Sequence, residues 1–327
     1  MSPTATGTMA PTGRPAAGSG NRPGDTDRNH PAARSRRRFG LLMTSPAIVI
    51  LAALMVIPTV ITVVYSVFRP PASGRHLGPF VGLSNYGTVL SSEVFWKSAL
   101  TTLLFSIGFV VGSTVLGLAI AVLLNQRFVG RGLCRTLLII PWAMPWLVLG
   151  ILWRWFADGD VGGLNVLLTG IGLQDGQRDY LADPTSALIL VTVASIWRQA
   201  SFAGILFLAG LQTMPTDMAE AAQLDGAGVW QRFRYLTLPW LRPVTATVTV
   251  LNVIYAFLSF DVIFAMTQGG PGDATQVLSI VVYRQLFVVT NIGLGSALAV
   301  VLAVLALLGG LLTVRLVARS DNGAVTR

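Results

Sequence analysis

Charged side chains are scarce in this chain of 327 residues, of which only 11% are Asp, Glu, Lys or Arg while 53% are hydrophobic. Soluble domains carry about 25% charged residues, so a soluble protein of this length and composition is hard to build. In a soluble protein, the net charge of +9 would suggest nucleic-acid binding. Here the basic residues cluster at the ends of apolar segments instead. We therefore expect a protein embedded in membrane lipid, with no nucleic-acid partner.

Residues that support covalent chemistry are equally scarce. Cys134 is the one cysteine, which excludes an intramolecular disulfide and any metal site built from several cysteines. The two histidines, His30 and His76, lie in segments rich in Pro, Gly and Arg, where neither is placed for catalysis or metal binding. The chain also lacks the G-x-x-x-x-G-K-[ST] loop that binds nucleotide phosphates. We expect no catalytic residue, no metal site and no cofactor on this chain.

Six apolar segments each approach the roughly 20 residues that a helix needs to span a bilayer. They predict an all-α integral membrane protein with six transmembrane helices. Pro141 and Pro145 interrupt the third segment, either as a kink or because the span begins after them. Residues 1–38 are expected to form a disordered tail, 39–317 the six-span domain and 318–327 a second tail. The predicted spans are residues 41–67, 99–124, 136–156, 187–211, 244–266 and 292–317.

Arginines gather at alternate ends of these segments, whereas the opposite loops are mainly acidic. Under the positive-inside rule the arginine-rich side is the cytoplasm, so both termini are expected to be cytoplasmic and the chain to lie in a bacterial plasma membrane. Residues 35–39 are similar to a twin-arginine export signal. However, the apolar run up to Phe68 is longer than a signal peptide's and lacks a convincing cleavage site, which favours an anchor. The arginines in question are Arg36, Arg37, Arg38, Arg127, Arg131, Arg135, Arg232, Arg234, Arg242, Arg315 and Arg319.

A polar island, EAAQLDGAGVWQRFRYLTLP at residues 220–239, separates the fourth and fifth spans. Helix-forming residues lie on both sides of Gly226 and Gly228, which permit a bend that other residues resist. Pro239 is expected to end the second helix. We call residues 217–240 the elbow and expect a small amphipathic docking element for a soluble partner. At spacings of three, one helical face would carry Trp230, Phe233 and Leu236, with Arg232 and Arg234 directed elsewhere.

The elbow resembles the coupling loop of the permease subunits of binding-protein-dependent ABC importers, which has an E-A-A triplet, a following Gly and a closing Leu-Pro. The resemblance implies that the elbow seats in a cleft of an ATP-hydrolysing subunit. It further implies a second homologous permease, two ATPase subunits that bind ATP and Mg, and an extracytoplasmic solute-binding protein. The matching residues are Glu220, Ala221, Ala222, Asp225, Gly226, Ala227, Phe233, Leu238 and Pro239.

Three further segments resemble the carbohydrate branch of that family. The first is FVGLSNY at residues 80–86, and the second is Phe260-Asp261. The third is TQGGP at residues 267–271, where Gly269, Gly270 and Pro271 form a tight loop that is expected to face the solute-binding protein. The resemblance covers about residues 39–317.

Polar side chains inside spans are expensive unless they face protein or a water-filled cavity. Two such stripes have helical spacing, one in the fourth span and one in the fifth. The family places its solute site on the equivalent spans, and amides, hydroxyls and aromatic rings suit a sugar. The alternative for each residue is a hydrogen bond that holds two helices together. The candidate pathway residues are Ser195, Arg198, Gln199, Phe202, Asn252, Tyr255, Ser259 and Asp261.

Arg198 is the ionisable side chain within the fourth apolar run, and Asp261 is its possible partner near the end of the fifth. These features lead us to expect the non-catalytic permease subunit of an ATP-driven importer for a mono-, di- or oligosaccharide. One alternative is an ABC permease for another solute, such as glycerol phosphate or a polyamine, since an anionic solute would give Arg198 a direct role. A secondary transporter driven by ions is the other alternative, although it would favour membrane acids and inverted repeats.

Overall fold

The computed structural model describes the backbone of residues 31–69 and 78–322, and the side chains of residues 43–69 and 78–315. Within these ranges the regular elements are helices, with one antiparallel bridge between Phe68 and Phe80. The all-α prediction is confirmed for this part of the chain. His30, His76 and residues 1–30 of the predicted tail lie outside the described residues.

Four helices are long and apolar enough to cross a membrane: α1 (Pro31–Ser66), α3 (Glu93–Asn125), α7 (Pro184–Gln212) and α14 (Ile292–Asn322). Two bent pairs also pass this test. They are α4 (Arg131–Ala143) with α5 (Trp146–Phe156), bent by 98°, and α11 (Arg242–Phe257) with α12 (Asp261–Thr267), bent by 47°. The described residues thus hold four candidate spans, or six if each bent pair counts as one. The shorter α-helices are α2 (Ser84–Ser91), α6 (Gly163–Gly170), α8 (Thr216–Leu224), α9 (Val229–Arg232), α10 (Leu238–Trp240) and α13 (Leu278–Tyr283).

The first and last helices extend beyond the predicted six-span domain. Helix α1 begins at Pro31, so residues 31–38 are helical where the sequence analysis expected a disordered tail. Proline suits the first helical position because its fixed φ matches the helix and its missing N–H would have no helical partner there. Helix α14 continues to Asn322, past the expected limit at residue 317. Among the described residues, 31–59 belong to one compact unit, and those from Val60 onward belong to a second.

The third and fifth predicted spans are each interrupted by a break. Helix α4 runs through Pro141 and ends at Ala143. Met144 follows in an extended conformation (φ −69°, ψ 134°) in front of Pro145. A residue that precedes proline is disfavoured in the helical region, and this explains the break. The second break lies between Phe257 and Asp261, so the predicted continuous span 244–266 is two helices.

Helices α3 and α7 approach each other closely because glycine lies at their contact. A Cβ atom on Gly117 would lie 2.6 Å from the Cβ of Ala203 and 3.0 Å from the backbone nitrogen of Gly204. Small residues allow helix backbones to approach in this way within membranes. A separate buried apolar core joins α3, α5, α7 and α12 through Phe105, Phe109, Leu149, Val191 and Ile263.

Candidate functional site

The elbow is a helix–turn–helix whose turn depends on Gly226. Helix α8 ends at Leu224 and is capped by Asp225, and Gly226 follows in the left-handed conformation with φ +76°. The N–H of Gly226 donates to the carbonyl oxygen of Gln223, and the N–H of Ala227 donates to that of Ala222, both at 3.0 Å. These two bonds form a Schellman motif, which satisfies the last carbonyls of the helix. The predicted bend is thus present and has a local cause in the sequence.

The second half of the elbow differs from the prediction at Pro239. The helix does not end there, because helix α9 continues through a π-helical turn at Phe233–Thr237 into helix α10. The N–H of Leu238 donates to the carbonyl oxygen of Phe233, five residues earlier. A π-turn widens the helix by about one residue, and we infer that this accommodates a proline that cannot donate.

The π-turn also alters the predicted apolar face. Phe233 and Leu236 are partly buried and line a groove, whereas Trp230 is 72% exposed. Arg232 lines the same groove, contrary to the expectation that it would point elsewhere. The reason is that the spacing of three residues assumed a regular α-helix, which ends at Arg232.

The exposed surface of the elbow is unusually apolar for a polar loop. Leu224, Val229 and Tyr235 are 89%, 77% and 77% exposed, and the ring of Trp230 packs 5.6 Å from that of Phe233. Trp240 joins the end of the elbow to helix α7, since its Nε1 donates to the carbonyl oxygen of Gly210 at 3.2 Å. The elbow therefore presents apolar side chains on a frame fixed to α7. Glu220 and Ala221 are exposed on it, whereas Leu238 and Pro239 are partly buried.

The buried members of the two predicted polar stripes connect three helices. The side-chain amide Nε2 of Gln199 on α7 donates to Oδ1 of Asn252 on α11 at 2.8 Å. Nδ2 of Asn252 in turn donates to the hydroxyl of Thr114 on α3 at 3.2 Å. Ser195 is buried as well and donates to the carbonyl oxygen of Val191 within its own helix. In this conformation these side chains bond to protein, which corresponds to the helix-holding alternative.

Other members of the stripes remain accessible. Tyr255 is 45% exposed on α11, and Phe202 on α7 is partly buried, with its ring stacked 5.8 Å from that of Trp142. Ser259 lies in the break between α11 and α12, where its carbonyl oxygen accepts a hydrogen bond from the hydroxyl of Ser279. Asp261 is exposed in the first turn of α12, where a carboxylate suits the helix dipole. The stripes thus divide into a buried amide junction and an accessible aromatic and hydroxyl surface.

Arg198 contacts the break between α4 and α5. Its Nε donates to the carbonyl oxygen of Met144 at 2.9 Å, and its guanidinium carbon lies 4.0 Å from the centre of the Trp146 ring. Asp261 is not its partner, since the ion pairs among the described side chains involve neither residue. The break leaves a carbonyl without a helical donor, and Arg198 supplies one.

The predicted external loop residues Gly269, Gly270 and Pro271 lie in the connection between α12 and α13, residues 268–277, which is held by a dense network. We call this connection the Gly-Gly-Pro loop. Gly269 has φ +94°, and the Gly270–Pro271 peptide is cis. The hydroxyl of buried Thr275 donates to the carbonyl oxygen of Gly270 at 2.7 Å. Arg284, which the sequence analysis did not single out, donates to the Asp273 carboxylate, the Gln276 side chain and the Gln268 carbonyl oxygen at 2.8, 2.5 and 3.1 Å.

A polar cleft adjoins this loop. Arg154, Asp158 and Asp179 line it opposite Gly270 and Pro271, and it encloses about 320 Å³. Backbone N–H groups of Val161 and Asp160 donate to the Asp158 carboxylate and hold its pKa below the usual range. The carboxylate is therefore harder to protonate in acid than an ordinary aspartate.

Asn165 organises the connection on the other side of the cleft, residues 158–178. This side chain is buried, and nothing in the sequence marks it as functionally or structurally important. Its Nδ2 donates to the carbonyl oxygens of Asp158, Gly159 and Arg178 at 2.9–3.2 Å. Its Oδ1 accepts from Gln174 and from the N–H of Arg178. One buried amide thus fixes three stretches of the segment.

Comparison with known proteins decides which family this architecture represents. The model of the family described as binding-protein-dependent transport system inner membrane component matches residues 113–322, a range that includes the elbow, the amide junction and the Gly-Gly-Pro loop. The chain belongs to this family. It is accordingly a multi-pass inner-membrane protein and a permease component of an ABC transporter, a component that is not itself catalytic.

Two relatives in this family match along most of their length. The chain is 36% identical over 270 residues to the trehalose/maltose transport system permease protein MalF of Thermococcus litoralis, covering 83% of this chain and 90% of that protein. It is 32% identical over 285 residues to the sulfoquinovosyl glycerol transport system permease protein SmoG of Agrobacterium fabrum, covering 87% and 92%.

A solved structure confirms the ABC-permease fold. A chain of a bacterial ABC transporter involved in the import of the acidic polysaccharide alginate superposes with a TM-score of 0.75 at 22% identity, covering 89% of this chain and 99% of that chain. The same type of transporter in complex with its alginate pentasaccharide-bound periplasmic protein matches with a TM-score of 0.73, covering 86% and 94%.

Proposed function

We propose that this chain is the permease subunit of an ATP-driven importer that translocates a mono-, di- or oligosaccharide delivered by an extracytoplasmic solute-binding protein. The observation that carries the proposal is the match to a trehalose/maltose permease along 83% of this chain. The accessible surface of Tyr255, Phe202 and Ser259 supports it, since aromatic rings and hydroxyls bind sugars without requiring charge.

We propose six spans with both termini in the cytoplasm. The spans are α1, α3, the α4–α5 pair, α7, the α11–α12 pair and α14. The arginines at alternate ends of these helices support this orientation, which places the elbow in the cytoplasm and the Gly-Gly-Pro loop outside.

The elbow is the proposed docking element for an ATPase subunit. Its exposed Leu224, Val229, Trp230 and Tyr235 have the aromatic and aliphatic character of an interface core. Two ATPase subunits bind ATP and Mg in this proposal, and the chain itself holds no cofactor. Coupling rests on Glu220, Ala221, Ala222, Asp225, Gly226, Ala227, Phe233, Leu238 and Pro239.

A second, homologous permease completes the proposed pathway as a heterodimer partner. Ser195, Gln199 and Asn252 reach the solute only if their helices separate during transport, because they bond to protein in this conformation. Phe202, Tyr255, Ser259 and Asp261 are the proposed contacts on the accessible side, and Gly269, Gly270 and Pro271 face the solute-binding protein. Arg198 belongs to the same region but is bound to the α4–α5 break in this conformation.

Affinity purification of the tagged chain in mild detergent tests the assembly. We expect recovery of an ATPase and a second six-span permease. The recovered complex is then placed in liposomes with its binding protein, and uptake of maltose, trehalose, glycerol 3-phosphate and spermidine is measured with and without ATP. ATP-dependent uptake of a sugar supports the proposal. Recovery of the chain alone, with uptake driven by an ion gradient, contradicts it.

A further inference from the structure

We infer that Arg198 is a positioning residue that pins the break between α4 and α5 to helix α7. Its side chain contacts both sides of the break. Nε donates to the carbonyl oxygen of Met144, which directly follows α4. The guanidinium carbon lies 4.0 Å from the centre of the ring of Trp146, the first residue of α5. One side chain from α7 thus holds both flanks of a 98° bend.

The chemistry of the break explains why an arginine is suited to this position. Pro145 has no N–H, so the chain cannot continue the helical hydrogen bonds across the break. In a membrane, a carbonyl group without a donor is costly. An arginine satisfies it with one N–H and stacks its remaining planar surface on an indole, the best aromatic partner for a cation.

The position of this pin connects two ends of the molecule. Helix α7 leads directly into the elbow, which is tied back to it by the bond from Trp240 to Gly210. On the other side of the pin, helix α5 packs closely against α12, where a Cβ on Gly150 would lie 2.6 Å from the Cβ of Ala265. Helix α12 leads into the Gly-Gly-Pro loop. A displacement of α7 at its elbow end is therefore transmitted through Arg198 to α5 and on to the loop.

This role differs from direct contact with an anionic solute. Arg198 already uses Nε and one face of its guanidinium within the protein. If Arg198 contacted the solute, replacing it would change which solutes are preferred. If it holds the break in place, replacing it would reduce the local order of the break. The inference rests on the proposed transport function only for its second measurement.

The first measurement is hydrogen exchange, by mass spectrometry, on the full-length chain in its purified complex. Arg198→Met is expected to increase exchange of the backbone amides at residues 146–150 at least fivefold, because the start of α5 loses its contact. Arg198→Lys is expected to give an intermediate increase, since lysine keeps the charge over Trp146 but lacks the planar fork. The control is Thr192→Val on the same helix, whose hydroxyl bonds to Leu188 within α7 and whose replacement is expected to leave the break unchanged.

The second measurement is the number of ATP molecules hydrolysed per solute molecule imported, measured in liposomes for the same variants. We expect this ratio to rise severalfold in Arg198→Met, to rise less in Arg198→Lys and to be unchanged in Thr192→Val. Unchanged exchange at residues 146–150 in Arg198→Met overturns the inference, whatever transport shows. Altered exchange with an unchanged ratio and a changed preference between maltose and glycerol 3-phosphate also overturns it, in favour of a solute contact. Absence of any ATP-driven uptake by the unmodified complex contradicts the proposed function but leaves the exchange test of the pin valid.

Discussion

Replacement of Gly226 by valine is expected to weaken docking of the ATPase without affecting membrane insertion. Gly226 has φ +76°, and no atom lies within 4 Å of a Cβ built on it. The cost of the substitution is therefore conformational, not steric. A side-chain-bearing residue in this conformation costs about 1–2 kcal/mol, and a β-branched residue lies at the upper end because its χ1 is restricted.

This cost in free energy lowers the fraction of molecules in which the elbow has the observed turn at Gly226. A cost of about 1–2 kcal/mol corresponds to a factor of about 5–30 in an equilibrium constant. If docking requires the observed turn, the apparent dissociation constant rises by up to this factor, because only the competent fraction binds. Gly226→Asn is expected to lose far less, since asparagine tolerates the left-handed region.

The assay is a titration of purified ATPase subunit onto the permease complex in lipid nanodiscs. Gly172→Val is the matched control, because Gly172 has φ +72° and open space around its Cβ position but lies between α6 and α7, away from the elbow. Equal affinity of the ATPase for Gly226→Val and the unmodified chain would refute the reasoning. An equal loss in Gly172→Val would show that general destabilisation is responsible.

Three further experiments test packing, the amide junction and the Gly-Gly-Pro loop. Gly117→Ala is expected to lower the free energy of unfolding, measured by chemical denaturation, by about 1–3 kcal/mol through overpacking. Gly132→Ala in helix α4 is the control and is expected not to lower it, because no atom lies within 4 Å of a Cβ built on Gly132. A double-mutant cycle of Gln199→Leu and Asn252→Leu is expected to give a coupling energy of about 0.6–1.7 kcal/mol, and a value of zero contradicts the 2.8 Å bond. Arg284→Met is expected to speed hydrogen exchange in the Gly-Gly-Pro loop, and Arg284→Lys less so. Unchanged exchange in Arg284→Met means that the loop does not depend on Arg284 and is held by its other bonds, such as that of Thr275 to Gly270.

The parts of the fold that follow from short sequence stretches could be predicted. The bend at Gly226 depends on a glycine that lies directly after helix-forming residues, and both hydrogen bonds of its motif join residues at most five apart. The apolar lengths of α3, α7 and α14 could be read directly from the sequence for the same reason. The π-turn before Pro239 could not be predicted. The sequence shows that a proline is unfavourable within a helix, but it does not show whether the helix ends there or widens to accommodate it.

Contacts between distant residues required the structure. Gln199 and Asn252 were expected on polar stripes, but their bond joins residues 53 positions apart, and helical periodicity does not specify the direction of one helix relative to another. Nothing in the sequence distinguishes Asn165 from a surface polar residue, and its importance follows from its burial and from the three backbone carbonyls that it binds. Arg284 interrupts the apolar helical stretch Leu278–Val288, but its three partners in the Gly-Gly-Pro loop are seen only in the structure.

Helix α7 is the element through which these contacts combine. Gln199 binds α11 and, through Asn252, α3, whereas the adjacent Arg198 binds the α4–α5 break on another face. Adjacent residues on a helix point about 100° apart, so a single rotation or shift of α7 acts on both contacts together. Because the elbow is tied to the end of the same helix at Gly210, a rigid-body movement of α7 that begins at the elbow acts on both contacts. The amide junction and the contacts of Arg198 are therefore expected to change in concert during transport.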